Sequence, residues 1–527
     1  NPPFAFIAQA NIECQDGNIS IGTDETWKCN KSYSSYYGNW DILDFGGEIV
    51  DDRLRDDNWC CENYDDSSWK NASIYKQKES DAEKDKNVRM KEDTQIANEE
   101  FSRNGGRITA QLSSQILEPQ VKYREIVPVK VSENSDGTYL IDMGENYTGT
   151  FEMNMFNGHE GDSVLFEISD RPEVRSNWKQ KSKYIYGKSG KGKFENRFNL
   201  AGGRWITVYG LSYKPSIDDI RGYVITSDRK QISSFESSSE LLNKIYKINL
   251  DTYLANTIDG ILVDCPHRER RGWGEVTVAA MYGDALPNFV SGAYIDQYSQ
   301  YMRDAQFADG RIRGIINEED RSFLMWKANN PLTIWETYRM YGDKKLLSDN
   351  YDSMKKGMEW LFSNSDFEHN GALKAGKQGS RGFPGLGDWC TPRGNFWDSS
   401  NSPEAVHFNN CLYALMLEYA CNISRELGYE QDNKIFSERL SVQREATHEM
   451  TYDLSTGKYG SGQQMNQAFA LLSGVTPDSE KKKVYDCLVQ NVLYDYPYYD
   501  QGSSGQGAYT RYFIEKGERM DLIYQLM

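Results

Sequence analysis

The sequence predicts a multidomain protein in which antiparallel β-sandwich domains come first and a toroid of helical hairpins follows. Up to about residue 230, apolar and polar positions alternate, and turn residues recur every 8 to 12 positions or so, which is typical of antiparallel strands. Near Ser237 the apolar period changes to that of an α-helix and stays helical to the end of the chain. A length of 527 residues is ample for several domains, each with its own core.

The strand pattern is clearest in three short runs, each of which we expect to bury one face. The alternating positions are Phe151, Met153 and Met155, then Val164, Phe166 and Ile168, then Trp205, Thr207 and Tyr209. A charge run within 76–103 interrupts the pattern with few large apolar residues, which indicates a solvated segment. We therefore predict a partial β-sandwich over 1–77, a linker or insertion over 78–103, and a second β-sandwich over 104–232.

The helical region is predicted to extend over 233–527, opening with a helix capped by Ser237 and Glu240. Leu241, Ile245 and Ile248 belong to the apolar stripe expected to face the core of that helix. Further amphipathic stretches cover 290–307, 330–342, 351–363, 404–427, 433–451, 464–473, 480–494 and 506–526. Loops rich in Gly, Asp and Trp separate them, which favours two rings of helices with a cleft formed by the loops.

Composition narrows the function. Sixty lysines and arginines against 78 aspartates and glutamates leave a net charge of −18, which argues against a nucleic-acid backbone as partner. We expect no membrane span, because the apolar runs are far shorter than the ~18 residues that one requires. Thirty-five tyrosines and 12 tryptophans are typical of sugar-handling proteins, although most aromatic rings fill cores.

No phosphate loop, dinucleotide fingerprint or metal motif is present in the sequence, so we expect no cofactor and no metal. The sequence does not define the oligomeric state.

A secretory or extracellular setting is favoured by the cysteines, the acidic charge and the candidate glycan acceptors. Four of the nine cysteines, Cys14, Cys29, Cys60 and Cys61, lie in the first 61 residues, where oxidised pairing is chemically open. Asn-x-Ser/Thr triplets begin at Asn18, Asn30, Asn71, Asn146 and Asn422. We predict a secreted or lumenal glycoprotein.

Catalytic chemistry is concentrated in the segment Val263–Glu275. A proline and a glycine within it argue for a loop, so Asp264, Glu269 and Glu275 can point into a cleft beside the flat ring of Trp273. Glycosidic cleavage needs an acid that still holds its proton near neutral pH and a second carboxylate. A solvated loop of salt bridges accounts equally well for the charges alone.

The run Asp264-Cys-Pro-His-Arg-Glu-Arg with Gly272-Trp273 resembles the signature loop of the α-L-rhamnosidases of glycoside hydrolase family 78, in which it opens the catalytic (α/α)6 barrel. Weaker matches follow in the family's order: Thr23 to Trp27, Asp65 to Trp69, Asp142 to Gly149, Gly203 to Trp205, Trp335 to Asp343, Gly387 to Trp389 and Tyr459 to Gly462.

The resemblance implies an inverting exo-hydrolase that releases terminal α-L-rhamnose from glycans or glycosides. By position, Glu269 would be the general acid, Asp264 would bind sugar hydroxyls and Arg268 would balance the charge of the site. The resemblance also implies four residues that would line the sugar pocket: Trp273, Trp326, Asp388 and Trp389.

Two departures from the family matter. The loop continues Gly274-Glu275-Val276 where the family has Gly-Gly-Asp, so its outer carboxylate is a longer Glu placed one residue earlier. The family's general base lies in a Trp-Glu motif that this chain does not reach before Met527. We therefore expect a central portion of a longer chain, with a toroid incomplete at its C-terminus. Glu336, in a superficially similar Trp-Glu pair, is a weaker alternative for the base.

Two other functions stay open. A catalytically inactive relative, acting as a carbohydrate-binding or structural glycoprotein, is suggested by Val276 and by the unseen base. A different (α/α)6 enzyme, such as a disaccharide phosphorylase, would share the toroid and would require phosphate. A Trp-Glu motif soon after Met527 would favour the hydrolase over the inactive relative.

Overall fold

A computed structural model describes residues 6–41, 43–74, 115–316, 324–365, 367–368, 371–374, 387–392 and 402–527. These residues fall into two compact units. The first contains the described residues up to 74 together with Arg124–Ile225, and the second contains the described residues from 115 to Tyr123 together with those from Thr226 to Met527. The predicted linker over 78–103 lies outside the described residues, and the predicted domain boundaries stay predictions.

Strands dominate the N-terminal part of the chain. They are β1 (Gln9–Cys14), β2 (Gly17–Gly22), β3 (Lys28–Cys29), β4 (Ser34–Tyr37), β5 (Gly47–Asp51), β6 (Lys70–Asn71), β7 (Gln120–Ile126), β8 (Lys130–Glu133), β9 (Tyr139–Met155), β10 (Ser163–Ser169), β11 (Lys181–Ile185), β12 (Gly192–Glu195), β13 (Ala201–Tyr209) and β14 (Ile220–Ser227). Short 3-10 turns occupy Asp52–Leu54 and Ile217–Asp219.

Ten of these strands form one sheet in the order β4-β5-β11-β10-β13-β9-β14-β7, and β8 and β12 also pair with β9. Most of the neighbouring strands pair antiparallel, as predicted, but β5 runs parallel to β11. Two small antiparallel pairs, β1 with β2 and β3 with β6, stand apart from this sheet.

The buried faces follow the predicted alternation in two of the three runs. Met155, Val164 and Phe166 are fully buried, and the rings of Phe151, Phe166 and Phe194 pack together with centroids 4.7 to 5.3 Å apart. The prediction for β13 is wrong in part. Its pairing with β9 is irregular between Gly203, opposite Tyr147, and Trp205, opposite Asp142. Ile206, Thr207 and Val208 are all buried there, whereas Trp205 and Tyr209 are only half-buried. An irregular stretch of this kind lets side chains depart from simple alternation.

Helices dominate the rest of the chain, which confirms the predicted order of a sheet-rich part followed by a helical toroid. They are α1 (Glu240–Asn256), α2 (Gly274–Ala280), α3 (Leu286–Asn288), α4 (Gly292–Ala305), α5 (Leu324–Lys327), α6 (Asn329–Tyr341), α7 (Lys344–Asn364), α8 (Pro403–Glu426), α9 (Glu430–Thr451), α10 (Gln464–Leu472), α11 (Lys481–Gln490), α12 (Ser503–Lys516) and α13 (Met520–Leu526). Single π-helical turns follow α2 and α11, at Met281–Ala285 and Asn491–Asp495.

Small hairpins punctuate the connections between these helices. They are β15 (Thr257–Ile258) with β16 (Ile261–Leu262), β17 (Phe367–Glu368) with β18 (Ala372–Leu373), and β19 (Tyr452–Asp453) with β20 (Lys458–Tyr459). Within the described part of the chain, no helix is long and apolar enough to cross a membrane.

The inner ring of the toroid consists of α2, α6, α8, α10 and α12, each of which contacts the next, and α12 contacts α2. Connections of two or three residues join α6 to α7, α8 to α9 and α12 to α13, so each pair is an antiparallel hairpin. The inner helices therefore start at one common end of the ring. The described residues directly before each inner helix therefore lie at that end, while the short connections lie at the other.

Local signals set several helix boundaries. The side chain of Asp343 caps α7, and Gly342 ends α6 with a positive φ of 70°. The predicted helix over 506–526 is wrong in one respect, because Gly517 adopts a φ of 67° and the chain breaks into α12 and α13 there. Ser239, rather than Ser237, caps α1.

The apolar stripe predicted for α1 is buried only in part. Leu250, Tyr253 and Leu254 are buried, whereas Leu241 and Ile248 are more than 60% exposed. Only the second half of this stripe faces the core as predicted.

Candidate active site

The predicted catalytic loop follows the β15–β16 hairpin and leads into α2. The backbone N–H groups of Arg268, Glu269 and Arg270 all donate to the carbonyl of Cys265 at 3.2 Å, which folds the loop into a tight turn. Arg270 adopts a φ of 56°, and its Nε donates to the carbonyl of Pro266 at 2.7 Å. The burial that accompanies this contact lowers the pKa of Arg270 to about 10.

A second loop holds the catalytic loop from outside. Gly274 N–H donates to the carbonyl of Gly314 at 3.0 Å, and Ile316 N–H donates to that of Gly272 at 3.1 Å. Trp273 and Ile315 form an isolated antiparallel bridge between these bonds. The start of α2 is therefore fixed by backbone pairing, and Trp273 packs half-buried against the helical core.

Glu269 lies at the centre of the loop with its side chain only 11% exposed. Its Oε1 accepts hydrogen bonds from Trp273 Nε1 at 3.0 Å and from a terminal nitrogen of Arg268 at 3.3 Å. Arg271 lies 3.7 Å from the other oxygen, and the same Arg268 nitrogen reaches Asp264 at 3.4 Å. The structure thus brings four of the predicted residues, Asp264, Arg268, Glu269 and Trp273, into one site.

The two carboxyl groups have opposite electrostatic environments. Burial, followed by a hydrogen bond with Glu269, raises the pKa of Asp264 to about 7. Burial also acts to raise the pKa of Glu269, but the bonds from Asp264, Trp273 and Arg268 outweigh it and leave that pKa below its ordinary value. Oδ1 of Asp264 is buried and accepts no hydrogen bond in the described part of the chain. A carboxylic acid at Asp264 donating to a carboxylate at Glu269 satisfies both observations.

Three side chains of the same loop carry atoms of the kind that bind metal ions. The ligand atoms of Asp264, Cys265 and Glu269 lie within 4.8 Å of one another. However, burial and then Asp264 raise the pKa of the Cys265 thiol well above its usual range, which disfavours the thiolate that binds metals. Arg268 and Arg271 already supply positive charge to the carboxylates. This donor set does not fit a resident cation.

Asp388 and Trp389 lie beside the first turn of α12. The carboxylate of Asp388 is buried and accepts from the backbone N–H groups of Gly502 and Gly505, at 2.6 and 2.8 Å. The carbonyl of Trp389 accepts from Ser503 N–H at 3.0 Å. Two predicted pocket residues therefore sit at the common end of the inner helices, but Asp388 directs its oxygens at α12.

Glu336, the weaker alternative for a general base, lies just past the middle of α6. Its carboxylate pairs with Arg511 at 2.9 Å and with Arg339 at 3.0 Å, and it accepts a hydrogen bond from the hydroxyl of Tyr419. Seven residues of α6 separate Glu336 from the start of that helix at the loop end of the ring, a rise of about 10 Å. A carboxylate bound to two guanidinium groups there is a structural ion pair.

The remaining predicted residues are placed less completely. Glu275 lies in the first turn of α2 and Trp326 in α5, but their side chains fall outside the described ones. Asn18, Asn30, Asn71 and Asn146 are exposed, whereas Asn422 is half-buried within α8 and accepts from Arg425. The four cysteines of the first 61 residues are exposed and free, so the disulfides considered from the sequence are not formed.

Sequence reasoning did not single out the segment 494–501, which leads into α12 beside Asp388 and Trp389. Buried Gln464, the first residue of α10, donates to the carbonyls of Tyr496 and Tyr498 at 2.8 and 3.0 Å. Four tyrosines within 494–499 could have marked this segment as a candidate sugar contact. The sequence does not show which rings are exposed, because that depends on contacts with a helix 30 residues earlier.

Three family models together match most of the chain. The bacterial alpha-L-rhamnosidase six-hairpin glycosidase domain matches residues 230–527. The alpha-L-rhamnosidase N-terminal domain matches 2–93, and the bacterial alpha-L-rhamnosidase concanavalin-like domain matches 132–226.

Similar individual proteins point the same way. An alpha-L-rhamnosidase of Formosa agariphila is 25% identical over all of this chain and 53% of its own length. One of Streptomyces avermitilis is 24% identical over 92% of this chain and 43% of its own length. The solved alpha-L-rhamnosidase of Dictyoglumus thermophilum superposes with a TM-score of 0.82 at 22% identity, covering 99% of this chain and 55% of the other.

The solved Streptomyces avermitilis alpha-L-rhamnosidase, in complex with L-rhamnose, has a TM-score of 0.80 at 21% identity, covering 98% of this chain and 46% of the other. Likeness at this level of identity shows the fold. The chain spans about half the length of the curated relatives it matches.

Proposed function

This chain belongs to the bacterial α-L-rhamnosidase family, and from that premise we propose that it forms the acid-bearing part of an inverting exo-α-L-rhamnosidase. The substrate is terminal α-L-rhamnose on a glycan or glycoside. The observation that carries the proposal is the Glu269 carboxyl group, held by Trp273 and Arg268 beside an Asp264 whose pKa is raised to about 7.

The pair holds one proton near neutral pH, and before substrate binds that proton resides on Asp264. Sugar hydroxyls that donate to Asp264 stabilise its ionised form and lower its pKa. The proton then passes to Glu269, because two adjacent carboxylates disfavour a double negative charge. Glu269 is thereby protonated only when a sugar is bound, and it then donates this proton to the glycosidic oxygen as general acid.

Asp264 is too close to Glu269 to serve as the base of an inverting reaction. Their ligand atoms lie within 4.8 Å of each other, whereas the two carboxyls of inverting glycosidases are roughly 6.5 to 9.5 Å apart, with the sugar and a water between them. Glu336 is occupied by two arginines. The base is therefore a residue other than these two.

The test is turnover of a panel of α-L-rhamnosides by the full-length protein, with the anomer of released rhamnose followed by proton NMR. We expect β-L-rhamnose first, as inversion requires. Release of the α-anomer would contradict inversion, and cleavage within a rhamnan chain would contradict exo action. Calorimetric binding of rhamnose without turnover would support the alternative function, an inactive carbohydrate-binding relative.

A secreted or lumenal location is part of the same proposal. Support comes from the exposure of Asn18, Asn30, Asn71 and Asn146. Treatment of the native protein with an N-glycosidase should increase its mobility on a denaturing gel. Unchanged mobility, together with recovery of the protein in the cytosolic fraction, would contradict this location.

A further inference from the structure

Buried hydrogen bonds to the start of α10 hold the segment 494–501 in place. The side chain of Gln464 donates to two of its carbonyls, and Gln464 N–H donates to Asp500 Oδ2 at 3.2 Å. Gln501 Nε2 donates to Gln464 Oε1 at 2.7 Å. Gln464, Asp500 and Gln501 are all buried, so these bonds are shielded from competing water.

This fixed backbone presents aromatic rings to solvent. Tyr498 is 67% exposed, and its ring lies 5.6 Å from that of Tyr496 at an interplanar angle of 72°. A tyrosine ring is normally packed against other apolar groups, and exposing one on a rigid loop forgoes that stabilisation. Because the loop is already ordered, a ligand that covers the ring loses little conformational entropy.

The segment is continuous with the candidate active site. Its next residues, Gly502 and Ser503, donate to Asp388 and to the carbonyl of Trp389. They open α12, which contacts α2, and the loop before α2 carries Glu269. Tyr498 thus lies at the end of the inner ring where the scissile bond would be held.

We propose that Tyr498, flanked by Tyr496, is the platform for the sugar ring to which the terminal rhamnose is attached. This inference rests on the proposed function. A pyranose offers an apolar C–H face that matches the face of a phenol ring, and its hydroxyl rim matches the phenol oxygen. The platform binds the leaving group, so it selects rhamnosyl saccharides over rhamnosides whose leaving group has no ring.

The test compares two substrates of the full-length protein, a rhamnosyl-glucose disaccharide and α-L-rhamnosyl fluoride, whose leaving group cannot stack. We expect Tyr498→Ala to lower kcat/KM for the disaccharide about tenfold through KM, with the value for the fluoride unchanged. Tyr498→Phe keeps the ring and should retain disaccharide turnover. Tyr524→Ala is the matched control, because Tyr524 is 65% exposed but lies on α13, beyond the opposite end of α12.

Equal loss on both substrates, or no loss on the disaccharide, would overturn the platform. A rhamnoside with a planar phenolic leaving group serves as a third substrate. If Tyr498→Ala lowers kcat/KM for this substrate alone, the assignment of the platform to a pyranose is overturned. If the wild-type protein hydrolyses neither substrate, the proposed function fails. Calorimetry of disaccharide binding then tests the role of Tyr498 separately. Tenfold weaker binding by Tyr498→Ala than by the wild-type protein supports the platform, and equal binding excludes it.

Discussion

Trp273 donates a 3.0 Å hydrogen bond from its indole Nε1 to Oε1 of Glu269. Under the proposed function this tryptophan has two separable duties: its nitrogen orients the carboxyl group, and its ring is the proposed contact for the sugar. The bond also contributes to the lowered pKa of Glu269, since it favours the ionised carboxylate.

Substitution of Trp273 separates these duties. Trp273→Phe keeps an aromatic face but removes the N–H donor, so we expect rhamnose affinity to persist while kcat/KM for a disaccharide falls about tenfold. Trp273→Ala should also weaken rhamnose binding. Calorimetry and steady-state kinetics provide both readouts, and an unchanged rhamnose Kd in Trp273→Ala would assign the ring to packing.

The shared proton predicts a pH dependence. Because burial and Glu269 raise the pKa of Asp264 to about 7, kcat/KM for the disaccharide should fall above about pH 7, as the free enzyme loses its proton. Asp264→Asn leaves Glu269 with Trp273 and Arg268, which favour its ionised form. The alkaline limb of the curve of kcat/KM against pH should then move to lower pH. A limb that stays in place in this variant would mean that another group supplies the proton.

The ion pair of Glu336 predicts an effect on stability. Glu336→Ala leaves the buried guanidinium of Arg511 without its carboxylate, and we expect the free energy of unfolding to fall by about 3 kcal/mol. Arg339→Ala is the control, because its side chain is half exposed and should contribute at most about 1 kcal/mol. Urea unfolding measures both. Normal stability with abolished turnover in Glu336→Gln would instead make Glu336 a candidate for the base.

One variant distinguishes whether Asp388 stabilises the fold or binds the sugar. Asp388→Ala leaves the N–H groups of Gly502 and Gly505 without their acceptor, which should cost about 2 kcal/mol of folding stability. Thermal unfolding and rhamnose calorimetry distinguish the roles. An unaltered Tm with weakened rhamnose binding would favour the sugar contact implied by the family resemblance.

These residues also show how far a sequence alone could lead. Asp264, Arg268, Glu269 and Trp273 lie within ten residues, so a single turn around the Cys265 carbonyl is enough to assemble them. Asp388 meets Gly502 across 114 positions, and no local pattern encodes that contact. The burial of β13 was mispredicted because its irregular pairing with β9 between Gly203 and Trp205 leaves no mark in an alternating sequence pattern. The split of α12 from α13 was readable in Gly517, since glycine is the usual residue at a left-handed helix end.

If Glu269 protonates the leaving group, the Glu269→Gln variant of the full-length protein should lose activity according to how much protonation each leaving group needs. The amide cannot donate an acidic proton, so kcat/KM for a rhamnosyl disaccharide should fall by on the order of a thousandfold. For an activated 2,4-dinitrophenyl rhamnoside, whose leaving group departs unprotonated, the loss should stay below about tenfold. Equal losses on the two substrates would contradict the role of Glu269 as the acid.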